Sequence, residues 1–195
     1  MTWNAFHHRG ETLRTVVATA DERRDGILPM HAPGVAENFT DELDLVSALL
    51  LKWHARLSGN IERAMMREPI DLARAVAGAW RETAEQMPGV RQILDRCTEF
   101  PDGPEMQAAL VRAQQREWVR LAQAAGLAND ASRTAMAAGQ RVERVAREGL
   151  EVPAGADTES VVTQPAITEP ATAEEPAVVD GNDSLVDRIK AVLAA

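Results

Sequence analysis

The chain has 195 residues, and 45% of them are apolar, which is enough for one folded domain with residues to spare. Its net charge of −9 argues against nucleic-acid binding, because an acidic protein repels a phosphate backbone. Only 4% of the residues are aromatic and none is Tyr, a composition that favours packed α-helices over β-sheets.

The first third of the chain is predicted to form two helices separated by a loop. Apolar residues recur in steps of three and four over residues 3–23, at Trp3, Phe6, Gly10, Leu13, Val17 and Ala20. Residues 24–34 contain two prolines and two glycines, so they predict a loop. From Val35 the helical spacing resumes and continues to near Pro69, which predicts a single long helix.

Four shorter helices are predicted next. Asp71 can cap a helix that ends before Pro88, and Pro88 suits the first turn of a short helix. After the breaker phrase EFPDGPE, apolar spacing predicts a helix over residues 106–121. The sequence GLAND, residues 126–130, then ends this helix. Asp130 is the predicted N-cap of a last helix that ends at about residue 148.

These elements together predict an all-α domain over residues 1–150. No segment shows the alternating pattern of a strand, so no sheet is expected. Helices joined by short loops pack most simply as an antiparallel bundle, here with four long helices plus short extras.

The remaining residues predict a tether and a terminal helix. Residues 151–183 contain four prolines, eight acidic residues and no basic one, which predicts a disordered acidic linker. Residues 184–195 open with Ser184 and Asp187 in a capping-box arrangement, which specifies the start of a helix. The apolar face of this amphipathic helix is formed by Leu185, Ile189, Val192 and Leu193.

A helix this short is marginal in water, so we expect it to form fully only against a surface. The tether would make weak docking effective by raising the local concentration of the helix. We therefore predict that residues 184–195 bind another protein. The same face could instead pack on the chain's own bundle, and a membrane surface is a weaker possibility because only two basic residues are present.

Histidines and a carboxylate on the first two helices raise the possibility of a metal site. The candidate ligands are His7, Glu11 and His54, since bundle metal sites take such side chains from facing helices. The Glu-x-x-His signature of di-iron bundles does not occur, however, and a histidine on the flank of a helix is more often packed or solvated. We therefore predict no metal and no other cofactor. The sequence also contains no Walker loop, GxGxxG, GxSxG, HExxH or CxxC motif.

Three other features are interpreted as structural. The four tryptophans, at positions 3, 53, 80 and 118, follow the apolar period of their helices and are predicted to anchor the core, although they could also line a ligand pocket. Cys97 is interpreted as a small apolar residue. Arg141, Arg144 and Arg147 form a basic stripe that we expect to be solvated.

The cellular setting is inferred from what the sequence lacks. Cys97 is the only cysteine, so no intramolecular disulfide can form, and the first residues lack the pattern of a signal peptide. No run of about 18 apolar residues is present, so no membrane span is expected. A cytoplasmic location follows as the simplest interpretation.

Three phrases suggest a relationship to other proteins: TWNAFHHRGETLR, ELDLVSALLLKWHARL and PIDLARAVAGAW. Together they resemble a family of uncharacterised actinobacterial helical proteins over residues 2–125. The resemblance implies an origin, and it implies no activity and no residue role.

The preferred interpretation is a non-enzymatic cytoplasmic adaptor, a protein-protein interaction protein that uses its tethered C-terminal helix. The alternative is a metal-dependent enzyme or sensor built on the helical bundle, with the tail as a localisation device. The apolar stripes of the first two helices would also allow a homo-oligomer, because a stripe buried against a second subunit has the same pattern.

Overall fold

A computed structural model describes the fold over residues 3–149, with side chains from His7 onward. Its helices are α1 (Trp3–Arg23), α2 (Val35–Asn38), α3 (Glu42–Arg67), α4 (Leu72–Gln86), α5 (Pro88–Glu99), α6 (Gly103–Ala124) and α7 (Arg133–Glu148). Residues 3–149 contain no strand, which confirms the predicted all-α class. The predicted linker, residues 151–183, and the predicted docking helix, residues 184–195, lie outside the described residues.

Helix α3 lies at the centre of the packing and contacts α1, α4, α5 and α6. The most extensive contacts are those of α6 with α7 and of α3 with α4. Each of these two pairs is joined by a short connection, so each forms an antiparallel helical hairpin. Helix α1 packs on α5, and α4 packs on α7, so that both hairpins share one apolar core. Trp53 and Trp80 are the largest fully buried side chains in that core.

The helix starts are fixed by local capping. Asp71 caps α4 as predicted, because its side chain accepts a hydrogen bond from the amide of Arg74 at 3.1 Å. Pro88 begins α5, also as predicted. The predicted cap of α7 at Asp130 is wrong: Ser132 caps the helix by accepting from the amide of Ala135. Asp130 instead accepts a hydrogen bond from the amide of Ser132 at 3.2 Å.

The single helix predicted from Val35 to near Pro69 is wrong, because two helices, α2 and α3, occupy this range. The backbone is extended at Phe39 and at Asp41, which ends α2 and separates it from α3. The side chain of Asp41 accepts from the amide of Asp44 at 2.8 Å and so starts α3. Arg9 of α1 donates to the carbonyl oxygen of Asn38 at 2.6 Å, which satisfies the end of α2. The break is therefore stabilised by a cap and by a contact from a distant helix.

The buried face of α1 also differs from the predicted stripe. The described residues buried on this helix are Thr12, Val16 and Ala20, with Leu13 and Val17 half-buried and Gly10 exposed. On the same side of the helix Arg9 makes an ion pair with Asp44 at 2.6 Å, and its guanidinium lies 4.2 Å from the ring centroid of Phe39. The packed face of α1 thus includes polar residues. A prediction based on the spacing of apolar residues alone leaves them out.

Within residues 3–149, no helix combines the length and the apolar character that crossing a membrane requires.

The cap of α3 gives a direct test of this account. Replacing Asp41 by Ala is expected to lower the free energy of unfolding by about 1 kcal/mol, because one amide of the first turn loses its acceptor. Asp102→Ala is the matched control, since Asp102 is the N-cap of α6 but its side chain makes no capping hydrogen bond. Urea denaturation followed by circular dichroism measures both. Equal losses in the two variants would show that the Asp41 cap has no special effect.

Candidate functional site

A groove runs between α3 and α6 and forms the candidate site. Its walls are two helical stripes with the pattern i, i+3, i+4, i+7, i+8 and i+11. They consist of Ser47, Leu50, Leu51, His54, Ala55 and Ser58 on α3, and of Ala109, Arg112, Ala113, Arg116, Glu117 and Arg120 on α6. Each stripe spans eleven steps of an α-helix, which corresponds to about 17 Å. The volume of the groove is about 510 Å³. We call it the α3–α6 groove.

The middle of the groove is apolar and one rim is basic. The apolar part consists of two leucines and an alanine of α3 and two alanines of α6, and Leu51 is 72% exposed although it is a large aliphatic residue. Arg112, Arg116 and Arg120 follow one another every four residues along α6, so they form a single row. We call this set the arginine row.

Two members of the arginine row are available for an external charge. Arg120 donates to the hydroxyl oxygen of Ser58 at 2.8 Å and so closes one end of the groove. Arg112 and Arg116 make no hydrogen bond or ion pair with any of the residues that the structure describes. An anionic group at this rim would therefore not have to displace an existing partner.

The floor of the groove contains a hydrogen bond between a histidine of one helix and a carboxylate of the other. His54 of α3 and Glu117 of α6 approach to 3.0 Å between Nε2 and Oε2. Glu117 is buried, whereas His54 is partly accessible from the groove. The pair therefore connects the surface of the groove to the interior of the protein.

Behind this floor, Glu117 is the acceptor for two buried indoles. Trp53 donates from Nε1 to Oε2 at 2.8 Å, and Trp80 donates from Nε1 to Oε1 at 2.9 Å. The two rings meet edge to face, with their centroids 5.6 Å apart. The guanidinium of Arg91 lies 4.8 Å from the ring centroid of Trp53. We call these five residues, Trp53, His54, Trp80, Arg91 and Glu117, the Glu117 cluster.

The surroundings of Glu117 keep it ionised. Desolvation by burial is the largest influence and raises its pKa, but the hydrogen bond from His54 and the charge of Arg91 oppose it. The hydrogen bond from Trp80 acts in the same direction, and the net result is a pKa below the usual value for Glu. A buried carboxylate with several donors is thus a stable anion in this core.

A second buried carboxylate joins α5, α6 and α7. Glu143 accepts from the indole of Trp118 at 2.6 Å and from Arg147 at 2.8 Å. Arg147 also makes a bidentate contact with Asp95, at 2.8 and 3.0 Å, and lies 4.8 Å from the ring centroid of Trp80. Arg147 was predicted to be solvated, and that prediction is wrong because these partners hold it half-buried.

The structure does not bring the three candidate metal ligands together. His7 and Glu11 are exposed on α1, whereas His54 lies in the groove and pairs with Glu117. No group of three or more His, Cys, Asp or Glu within residues 3–149 is arranged to hold a metal ion. Elemental analysis of the purified full chain is the direct test of the metal hypothesis.

The other residues singled out in the sequence have structural surroundings. Trp53 and Trp80 are fully buried core anchors, Trp118 is half-buried, and the side chain of Trp3 lies outside the described residues. Cys97 is half-buried, and burial raises the pKa of its thiol, with a further contribution from the charge of Glu42. Such a thiol is a poor nucleophile at neutral pH.

Sequence reasoning missed the main parts of the groove. The arginine row was visible in the sequence as a basic residue at every fourth position of a predicted helix, a pattern that places charges on one face. Glu117 stood within the apolar period of the same helix, which is the signal of a buried charge with partners.

Comparison with known proteins finds no matching family model, no matching curated protein and no matching solved structure. The resemblance to an actinobacterial family therefore stays a prediction. No role for Glu117, His54 or the arginine row is transferred from another protein.

Proposed function

We propose that the protein is a non-enzymatic protein-protein interaction protein whose α3–α6 groove binds an acidic amphipathic helix of a partner protein. The observation that supports this proposal is the combination of an exposed apolar channel with a row of arginines on one rim. Helix-in-groove recognition needs both features, because apolar anchors give affinity and flanking charges select the partner.

The dimensions of the groove support a helical ligand. Each of its two walls is a helical stripe about 17 Å long, the length of about eleven helical residues. An amphipathic helix laid between them would place anchors at positions i, i+4, i+7 and i+8 against the leucines and alanines of the walls. Leu51 would be covered by this contact, which accounts for a large aliphatic side chain that is 72% exposed in the described part of the chain.

The charges of the groove support an acidic ligand. Arg112 and Arg116 have no carboxylate partner among the described residues, so a partner with Glu or Asp along one flank would form new ion pairs. Such pairs lie at the rim and are screened by salt, so they select the partner and raise the association rate more than they raise affinity.

The predicted terminal helix would make the protein an adaptor. Residues 184–195, with Leu185, Ile189, Val192 and Leu193 as the contact face, are proposed to reach a second surface at the end of the linker. The groove and the tail would then give the chain two separate protein contacts. A cytoplasmic location is part of the same proposal.

A charge-reversal experiment tests the groove. The probe is a synthetic helical peptide of thirteen residues, with leucines at i, i+4, i+7 and i+8 and three glutamates on one flank, titrated calorimetrically into the full-length chain. In the double variant Arg112→Glu and Arg116→Glu, we expect its affinity to fall at least about tenfold, since two favourable charge pairs become unfavourable. A peptide with lysines in place of the glutamates should show the opposite preference.

The control is the double variant Arg56→Glu and Arg133→Glu, which changes the net charge equally at exposed positions outside the groove. It should bind the acidic probe as the natural chain does. Loss of binding in this control, or no difference between the two peptides in the groove variant, would contradict the proposal.

A further inference from the structure

We infer that the α3–α6 groove is occupied by the chain's own terminal segment, residues 184–195, until a partner displaces it. This inference rests on the proposed function, because it names an internal competitor for the same groove. It assigns the segment to a site within its own molecule, where the sequence alone left open whether it binds in cis or to another protein.

The segment matches the groove in length and in the spacing of its apolar residues. Twelve residues of helix measure about 18 Å, and the groove walls measure about 17 Å. The apolar face of the segment comprises Leu185, Ile189, Val192 and Leu193. These residues stand at i, i+4, i+7 and i+8, so they lie on one face of a helix, as the anchors of a helix bound in a groove do. The exposed Leu51 and the alanines of the walls would supply the surface that the segment needs in order to fold.

The side chains of residues 184–195 have a net charge of +1, from Asp187 against Arg188 and Lys190, so the charge match comes from the residues that precede the segment. The 33 residues before the segment contain eight acidic and no basic residues, and Asp180 and Asp183 lie next to the start of the helix. None of the three groove arginines has an ion-pair partner among the described residues, and Arg112 and Arg116 also make no hydrogen bond there. Seating the helix in the groove would bring these opposite charges together, so that the acidic composition of residues 151–183 aids docking.

The chain is long enough for this contact within one molecule. Helix α7 ends at Glu148, and a flexible coil of 33 residues has a root-mean-square span on the order of 30 Å. Full extension would give about 110 Å, which exceeds the size of a domain whose radius of gyration is about 15 Å. Such a tether produces an effective concentration in the millimolar range. A contact with a dissociation constant of about 0.1 mM would then be closed about ten times more often than open.

A partner would therefore have to compete with the tail. The apparent affinity of any groove ligand is reduced by the fraction of molecules in which the groove is open. With a closed-to-open ratio of about ten, the reduction is about tenfold. The tail would thus suppress weak partners and admit partners that bind the groove more tightly than it does.

Two measurements on the full-length chain test the inference. The tail variant is Ile189→Ser with Leu193→Ser, and its control is Val161→Ser with Val178→Ser, which makes the same kind of change in the linker. The acidic probe peptide described above should bind the tail variant about tenfold more tightly than the natural chain, and the control as the natural chain does. Hydrogen exchange measured by mass spectrometry should show residues 185–195 protected about tenfold, with the protection lost in the variant Arg112→Glu with Arg116→Glu.

The outcomes separate this inference from the proposed function. If the probe binds the natural chain and the tail variant equally tightly, the groove binds helices but the tail does not occupy it, and the inference fails alone. If the probe binds neither the natural chain nor the tail variant, the proposed function fails as well. If the protection of residues 185–195 disappears on hundredfold dilution, the tail comes from a second copy and the contact within one molecule is contradicted.

Discussion

Replacing Glu117 by Ala is expected to lower the free energy of unfolding by about 3–5 kcal/mol, among the largest effects of any single substitution in the described core. The variant removes the acceptor of two buried indole N–H groups, those of Trp53 and Trp80, and the partner of His54. It also removes the negative charge that interacts with the guanidinium of Arg91. Urea denaturation followed by circular dichroism measures the loss.

The control for this substitution is Glu117→Gln, which has nearly the same shape and keeps one acceptor oxygen. Its loss should be smaller, at about 1–3 kcal/mol, because one donor is left unsatisfied. If Glu117→Ala cost less than Glu117→Gln, the hydrogen bonds to Trp53 and Trp80 would not be the source of the stabilisation.

The same carboxylate gives stability a defined dependence on pH. Its pKa is lowered in the folded protein, so the ionised form stabilises the fold and its contribution is complete above the unfolded-state value of about 4.3. As the pH falls through the lower folded-state pKa, this contribution is lost. The free energy of unfolding of the natural chain should therefore decrease more steeply on acidification than that of Glu117→Gln. If the free energy of unfolding fell equally with pH in the two proteins, Glu117 would not contribute to the loss of stability in acid.

The second large effect is expected at Gly139, where α6 and α7 cross. A Cβ atom at this position would lie 1.8 Å from the carbonyl oxygen of Trp118, so the two backbones touch and no side chain can fit. Gly139→Ala must therefore separate the helices, and we expect a loss of about 3 kcal/mol in the free energy of unfolding despite the better helix propensity of Ala. Thermal denaturation should show a correspondingly lower midpoint.

The matched control is Gly78→Ala in α4. A Cβ atom there would have no heavy atom within 4 Å, and the position is exposed. This substitution should raise the free energy of unfolding by about 0.5–1 kcal/mol, because only the helix propensity changes. If Gly139→Ala stabilised the protein as Gly78→Ala does, the close approach of α6 and α7 would be wrong.

The helices were largely predictable because their signals are local. The segment that begins after Asp71 and ends before Pro88 was predicted from a cap and a proline, and α4 has these limits. The break before α3 was not predictable from apolar spacing, since the spacing continues through Phe39. It depends on the capping side chain of Asp41, whose signal was overlooked, and on the distant Arg9, whose contact with the end of α2 exists only in the folded protein.

The candidate site was much less predictable, because it depends on contacts between distant parts of the chain. His54 was a candidate ligand, and the structure places it beside a carboxylate, but that carboxylate is Glu117 of α6 and not Glu11 of α1. The spacing of the helix predicted from Val35 does not show that Leu50 has two surroundings: it is half-buried against the core and also lines the groove. A periodic pattern identifies a stripe, but it does not identify what covers the stripe.

The shared carboxylate of Glu117 also has an optical consequence. Two indoles donate to the same anion that contacts His54 on the floor of the groove, so a ligand that shifts His54 changes the electric field at Trp53 and Trp80. Indole emission depends on the local field and polarity, so an occupied groove should alter the intrinsic fluorescence of the molecule. A change in that emission on addition of the probe peptide would therefore report the proposed binding between α3 and α6 without a label.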